Sequence, residues 1–364
     1  MGEGEGESKE IQVADSEFRT EGAKMDRGLN ESNIKFKSAF RNLKFAILIG
    51  ALLLAAAFAA EAQQAKKRPR VGVLSSRVGP LPSREGAFQE SLRKLGYVEG
   101  QSIIIEYRYA EERLDRLPDL VAELVHSKVD VIVAVSTPAI EAARKATDKI
   151  PIIMAGVSDP VGTGFVASLA RPGGNITGLS LQSPELSGKR LELLQEVIPK
   201  LSRIAFLVHR QDPGHRLFVK EAQDAGQSLG IQIRPLAVAG FEEIEGTFPA
   251  MVRERMGGLV VQPILVATNG LRIADLAAKN RLPTISDPME FADAGGLMSY
   301  GANRSALWWR AAIYVDKILK GTKPADLPVE QPMKFEFVIN LKTAKQIALA
   351  IPPTVLARAD KVIR

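Results

Sequence analysis

The residues of this chain whose types and spacing could do chemistry are hydroxyls, amides and carboxylates at the ends of apolar segments. The stretch GVSDPVGTGFVASLARPGGNITG, Gly156 to Gly178, shows the pattern: an apolar run ends on Ser158 and Asp159, and a glycine-rich loop follows. Such groups hold a polar solute by hydrogen bonds. Asp159 could receive an ammonium group, and Ser136-Thr137-Pro138, opening a helical segment, could offer hydroxyls and free N–H groups to a carboxylate. The same residues also cap helices, and both roles can hold at once. Sharper chemistry finds less support. GTGFVA, Gly162 to Ala167, satisfies G-x-G-x-x-A, but Ser-Asp-Pro-Val separates it from the strand end where a pyrophosphate would meet a helix N-terminus. Gly162 and Gly164 then loosen a turn, with FVASLA a short helix. SLRK, Ser91 to Lys94, matches the S-x-x-K of serine nucleophiles, yet it sits within an amphipathic helix among surface charges. His126, His209 and His215 are too scattered for a metal site. No cofactor or metal is implied, and the missing nucleophile–base constellation argues against an enzyme.

Elements that would position these groups are legible from periodicity. From Arg68 onward, short apolar strands such as RVGVLSS, VDVIVAVS and IPIIMAGVSDP alternate with helical segments such as SREGAFQESLRKLGY and TPAIEAARKATDK. Continuous apolar strands alternating with helices predict a parallel sheet covered on both faces. The later half repeats the earlier one. VDVIVAVSTPAIEAARKATDKIPIIMAGVSDP aligns with GGLVVQPILVATNGLRIADLAAKNRLPTISDP, both ending in Ser-Asp-Pro, at an offset of roughly 130 residues, the size of a domain. The expected fold is therefore α/β, with two similar doubly wound parallel-sheet lobes.

In open parallel sheets, ligands sit at the carboxyl ends of strands. That rule selects Ser75, Ser76, Ser136, Thr137, Ser158 and Asp159 in the first lobe. In the second it selects His209 to Gln211, Gln262, Ser286 and Asp287. If the lobes face one another, one cleft collects them all, with Asp159 and Asp287 on opposite walls. Tyr300, in GGLMSYG, is the aromatic candidate for the cleft, whereas Trp308 and Trp309 suit a helix packing face.

Composition narrows the classes further. The 364 residues suit two lobes plus extras, and the net charge of +6 is spread along the chain, so nucleic acid is not expected as a partner. There is no cysteine, which removes disulfides, thiolate metal sites and attachment of lipid through an N-terminal cysteine. Lys35, Lys37, Arg41 and Lys44 precede FAILIGALLLAAAFAA and then Ala60-Glu61-Ala62, the order of a secretory signal cleaved after Ala62. Residues 35–62 are thus expected to be a signal peptide. The acidic, glycine-rich residues 1–34 are expected to be a disordered leader, with Met25 a candidate initiator.

Together these residues resemble the substrate-binding proteins of ABC transporters, in the group that includes tryptophan- and tyrosine-binding members. The resemblance runs from Arg68 to the C-terminus. It rests on STPAIEAARKAT, IPIIMAGVSDPVGTGFVASLARPGGNITG, LPTISDPMEFADAGGLMSYG and YVDKILKGTKPADLPVEQPMKFEFVINLKTAKQIALAIP. It implies a type I periplasmic binding protein: two lobes joined by crossover hinges, closing on a ligand in the cleft. By this resemblance the N-terminal lobe comprises residues 68–178 plus 297–322, and the C-terminal lobe residues 179–296 plus 323–364. KPADLPVEQP would be the last crossover. The implied function is a periplasmic receptor, expected to be a monomer, that delivers a small polar, amino-acid-like molecule to an inner-membrane permease. Gln262-Pro263 departs from the Asn or Asp that the family often carries there. A ligand-sensing domain or enzyme of the same fold is the alternative; a sugar-repressor type would need a helix-turn-helix where the signal stands.

Overall fold

The computed structural model describes residues 68–111 and 113–364. The expected leader, signal peptide and cleavage site lie outside the described residues. Among the described residues no helix is long and apolar enough to cross a membrane.

The N-terminal lobe runs β1 (Arg70–Ser75), α1 (Pro82–Lys94), β2 (Ile104–Tyr109), α2 (Leu117–His126), β3 (Val131–Val135), α3 (Thr137–Ala146), β4 (Ile152–Val157) and β5 (Ile176–Ser180). Its sheet has the order β2-β1-β3-β4-β5, and every pairing is parallel. The fully buried strands β3 and β4 are the continuous apolar runs VIVAV and IIMAGV, which need cover on both faces. Cover comes from α2 and α3 on one face and α1 on the other. Ser91 of the SLRK motif is buried within α1 and donates to the carbonyl of Trp309 at 2.9 Å, so its hydroxyl ties helices together.

The C-terminal lobe follows with α4 (Ser187–Val197), β6 (Arg203–His209), α5 (His215–Leu229), β7 (Gln232–Val238), α6 (Phe241–Arg253), β8 (Gly258–Val261), α7 (Pro263–Lys279), β9 (Thr284–Ser286), α8 (Met289–Asp293) and β10 (Met298–Ala302). The chain then forms α9 (Arg304–Leu319), returns through β11 (Phe335–Asn340), α10 (Leu341–Gln346) and α11 (Pro353–Leu356), and ends on β12 (Lys361–Ile363). The second sheet has the order β12-β11-β10-β9-β8-β6-β7, parallel except where β10 meets β11. Two parallel-sheet α/β lobes are what the repeat predicted.

The lobe boundaries differ from expectation, most of all at the second crossing. β10 belongs to the second sheet, and only α9 returns to the first lobe, where Trp308 is buried edge-on to Phe88 at 6.0 Å between ring centroids. Met298–Ala302 carries a strand pattern that pairs with β9 and β11, so the crossing falls at Asn303, which caps α9 by accepting from the Ala306 N–H. The other crossings lie at residues 181–186 and 331–334. KPADLPVEQP first runs beside β5, with Glu330 exchanging backbone hydrogen bonds with Gly178 and Ser180, and crosses only afterwards.

FVASLA, expected as a short helix, forms bends instead. The Pro160 carbonyl receives the N–H groups of both Phe165 and Val166, and those two side chains are buried in the lobe core. Anchoring each apolar residue separately leaves no helical face to propagate. Gly178 has φ +135° inside β5, and a Cβ there would collide with the Met154 backbone, so only glycine lets β5 lie against β4 at this register.

Candidate ligand-binding site

Between the carboxyl ends of the two sheets lies a cavity of about 240 Å³ whose walls come from both lobes. Neighbouring strands bring its floor together. β1 and β3 pair with Ser75 opposite Val135, so the next residues, Ser76 and Ser136, leave the sheet side by side. Ser136 holds φ +91°, a left-handed conformation that is costly for a residue with a Cβ. The strain turns the chain sharply into α3, whose first turn contains Thr137 and Pro138. Proline fits there because a first-turn N–H has no helical partner. The start of α3, with its unpaired N–H groups and positive dipole end, thus opens on the cavity.

The facing wall carries Asp212 and Gln262. Asp212 is only 3 % exposed; its carboxylate accepts from the Gly214 N–H at 3.0 Å and from Gln262 Nε2 at 2.6 Å. Gln262 is itself fixed, because its Oε1 accepts the His209 N–H at 2.7 Å. A Cβ on Gly214 would sit 3.6 Å from Asp212 Oδ1 and 4.0 Å from Thr137 Oγ1, so the two walls approach closely here. Burial pushes the Asp212 carboxyl up to about 6, against the hydrogen bond from Gly214 and the charge of His215, which favour ionisation.

The other end of the cavity is rich in guanidinium groups. Arg84 of α1 donates through Nε and Nη2 to Glu290 Oε1 of α8 at 2.9 and 2.6 Å, a tie between the lobes. Arg304, at the start of α9, donates to Asp287 Oδ1. Arg77 stands 3.9 Å from Glu85. Burial lowers the basicity of Arg77, and pulls Arg84 down to about 10, where it stays cationic at neutral pH. Five buried side-chain atoms without a protein hydrogen-bond partner belong to residues lining this one cavity: Ser76 Oγ, Arg77 Nη1, Ser136 Oγ, Glu290 Oε2 and Arg304 Nε. Buried polar groups in native proteins are almost always satisfied, so such a concentration marks a place built for a partner.

Of the residues selected from sequence, Ser76, Ser136, Thr137, Ser158 and Gln262 line the cavity. Four others do not. Ser75 lies behind the floor, its Oγ accepting the Arg77 N–H at 3.3 Å. The Asp159 carboxylate turns back on its own loop and accepts the N–H groups of Val161 and Gly162 at 3.0 and 2.9 Å, leaving no room for a Cβ at position 162. Asp287 is buried between Arg190 and Arg304 beneath the cavity, so the two Ser-Asp-Pro aspartates do not form opposite walls. Tyr300 stacks on Phe335 and meets Phe337 edge-on in the second lobe, its carbonyl accepting from Arg190 Nε at 2.9 Å. Asp212, Arg77 and Glu290 were missed. Each lies within three residues of a strand-end position that the sheet rule did select, where side-chain direction rather than residue type decides.

Fold and site define a bilobed α/β protein with a polar-lined cavity between its lobes. The chain belongs to the ABC transporter substrate binding protein family, whose model matches residues 79–363. It is 28% identical over 286 residues to a tyrosine-binding protein of Clostridioides difficile (strain R20291), covering 78% of this chain and 81% of that one. It superposes on the ABC domain in complex with L-Trp from Streptococcus pneumonia with a TM-score of 0.76 at 27% identity, over 82% of this chain and 100% of that one. The ligand-free, open structure of a substrate-binding protein with adhesive properties from Clostridium difficile gives a TM-score of 0.59 at 26% identity, over 81% and 99%. The chain is thus an ABC-transporter substrate-binding protein of the type I periplasmic binding fold.

Proposed function

We propose that this protein captures a single amino acid, outside the inner membrane, and presents it to a permease of the ABC type. The observation that carries the reading is the pairing across the cavity of the start of α3 with a buried aspartate whose carboxylate is hydrogen-bonded only by the neutral donors of Gly214 and Gln262. A carboxylate would take hydrogen bonds from Ser76, Ser136 and the α3 N–H groups. An ammonium would take Asp212, whose burial outweighs the support it receives from Gly214, Gln262 and His215. A cavity of about 240 Å³ lies below the range of drug-sized sites and suits one small solute. The names of the relatives support the same class, since one is described as binding tyrosine and another was solved with L-Trp. The higher TM-score to the L-Trp complex than to the ligand-free, open structure supports reading this arrangement as the closed one. Export by the segment 35–62, a receptor rather than catalytic role, and action as a monomer complete the proposal.

Native mass spectrometry of the exported protein, followed by thermal denaturation against the twenty amino acids and a set of small sugars, tests it. We expect one amino acid per chain and a rise in melting temperature, since a ligand at a hundredfold excess over Kd stabilises by about 2.7 kcal/mol. Binding of sugars alone, or of no amino acid, overturns the reading.

A further inference from the structure

We infer that the preferred ligand is an acidic amino acid: one whose side chain ends in an oxyanion bound by Arg77 and Arg304. The inference rests on amino-acid capture as proposed above and adds the chemistry of the far end. Strand order separates that end from the ammonium site. Asp212 follows β6 and Glu290 follows β9, with β8 between them, so the two stand two strand spacings apart, roughly 10 Å. That is the reach of a side chain, beyond the head group of an amino acid.

The guanidinium groups at this end are unevenly served. In ion pairs, Arg77, Arg84, Arg190 and Arg304 share three carboxylates, of Glu85, Asp287 and Glu290, while Glu185 acts on Arg190 from farther away. Arg84 is matched to Glu290, while Arg190 and Arg304 share Asp287. Arg77 is left with Glu85 at 3.9 Å, and that carboxylate is already engaged by the Leu81 N–H at 2.8 Å and the Tyr109 hydroxyl at 3.3 Å. Arg77 is 6 % exposed, its Nη1 has no hydrogen-bond partner, and Arg304 Nε has none. A buried cation with unused donors is costly until an anion arrives, and guanidinium groups recognise planar oxyanions in particular. Glu290 Oε2 also lacks a partner, and a water carried in beside the oxyanion would supply its donor. An uncharged indole or phenol would leave both guanidinium nitrogens unserved.

The test is calorimetric titration of the full exported protein with two matched pairs: L-glutamate against L-glutamine, and 4-carboxy-L-phenylalanine against L-phenylalanine. We expect the acid to bind at least about tenfold tighter in one pair, the effect of one charged hydrogen bond. Arg77→Gln should bring that acid-to-neutral ratio below about threefold, and Arg77→Lys, which keeps the charge, should preserve more of it. Equal affinities in both pairs overturn the inference while leaving amino-acid capture standing. An unchanged ratio in a folded Arg77→Gln variant also overturns it. Failure of all four compounds, with other amino acids also failing, removes the underlying reading and this one with it. Should Arg77→Gln not fold, the ratios on the unaltered protein decide.

Discussion

Asp212 and Asp287 stand at the ends of strands in the same sheet, and both are almost wholly buried, at 3 % and 1 % exposure. Their surroundings are opposite. Asp287 is gripped by Arg190 and Arg304 and accepts the Ser183 hydroxyl. Burial alone would raise its carboxyl, but Arg304 and Arg190 outweigh that and hold it below the usual carboxylate range. Asp212 has neutral donors, from Gly214 and Gln262, and burial prevails. A buried carboxylate with its own cations is a structural clamp, here tying α4 and the α9 crossover to the end of β9. One without them on a cavity wall is free to receive a cation from solution. Electrostatics therefore divides two residues that residue type and strand position do not.

The largest expected effect comes from breaking the clamp. Asp287→Asn leaves two buried guanidinium groups short of charge, and removing one partner of a buried pair costs roughly 3–5 kcal/mol. Urea denaturation should show that loss of stability; a loss below about 1 kcal/mol would show the clamp to be dispensable. The next effect is a pH dependence confined to binding. An ammonium needs Asp212 ionised, so at a carboxyl value of about 6 the affinity should fall about tenfold between about pH 7 and pH 5. Without ligand the sign reverses. The folded protein binds the Asp212 proton more tightly than the unfolded chain, so this residue's contribution to stability declines as pH rises from about 4 through about 6. Calorimetry across that range checks the first sign and thermal melts check the second. The smallest effect belongs to the third aspartate. Asp159→Asn keeps an acceptor for Val161 and Gly162, and should change both affinity and stability by less than about 0.5 kcal/mol. A tenfold loss of affinity would return Asp159 to the ligand.

The architecture was legible because parallel strands buried on both faces leave a strong record. VIVAV and IIMAGV can be little else, and the repeated Ser-Asp-Pro marks equivalent corners of two sheets. The floor and part of the facing wall were legible for the same reason: Ser76, Ser136 and Gln262 follow strands at which ligands collect. What sequence could not show was which way side chains turn after the strand ends. Asp159 folds onto its own loop because Gly162 leaves space for it, and Asp287 turns to arginines more than 90 residues away in one case and 17 in the other. Asp212 sits three residues beyond the end of β6, in HRQDPG, where only the turn closed at Gly214 aims it at the cavity. Long-range pairing and turn geometry, not periodicity, decide such positions. The FVASLA bends show the same limit, since tertiary anchoring of Phe165 and Val166 overrides a helical pattern.

The most direct measurement is a calorimetric titration, near pH 7.5, of the tightest-binding amino acid into the parent and Asp212→Asn proteins. The substitution keeps size and removes the charge that would face the ammonium, so affinity should fall by roughly 2–4 kcal/mol, the scale of a desolvated charged hydrogen bond. Its pH dependence below about 6 should vanish with it, while the melting temperature without ligand stays close to that of the parent. Equal affinity in the two proteins, with the same pH profile, would contradict capture of the ligand by Asp212 and with it the proposed site.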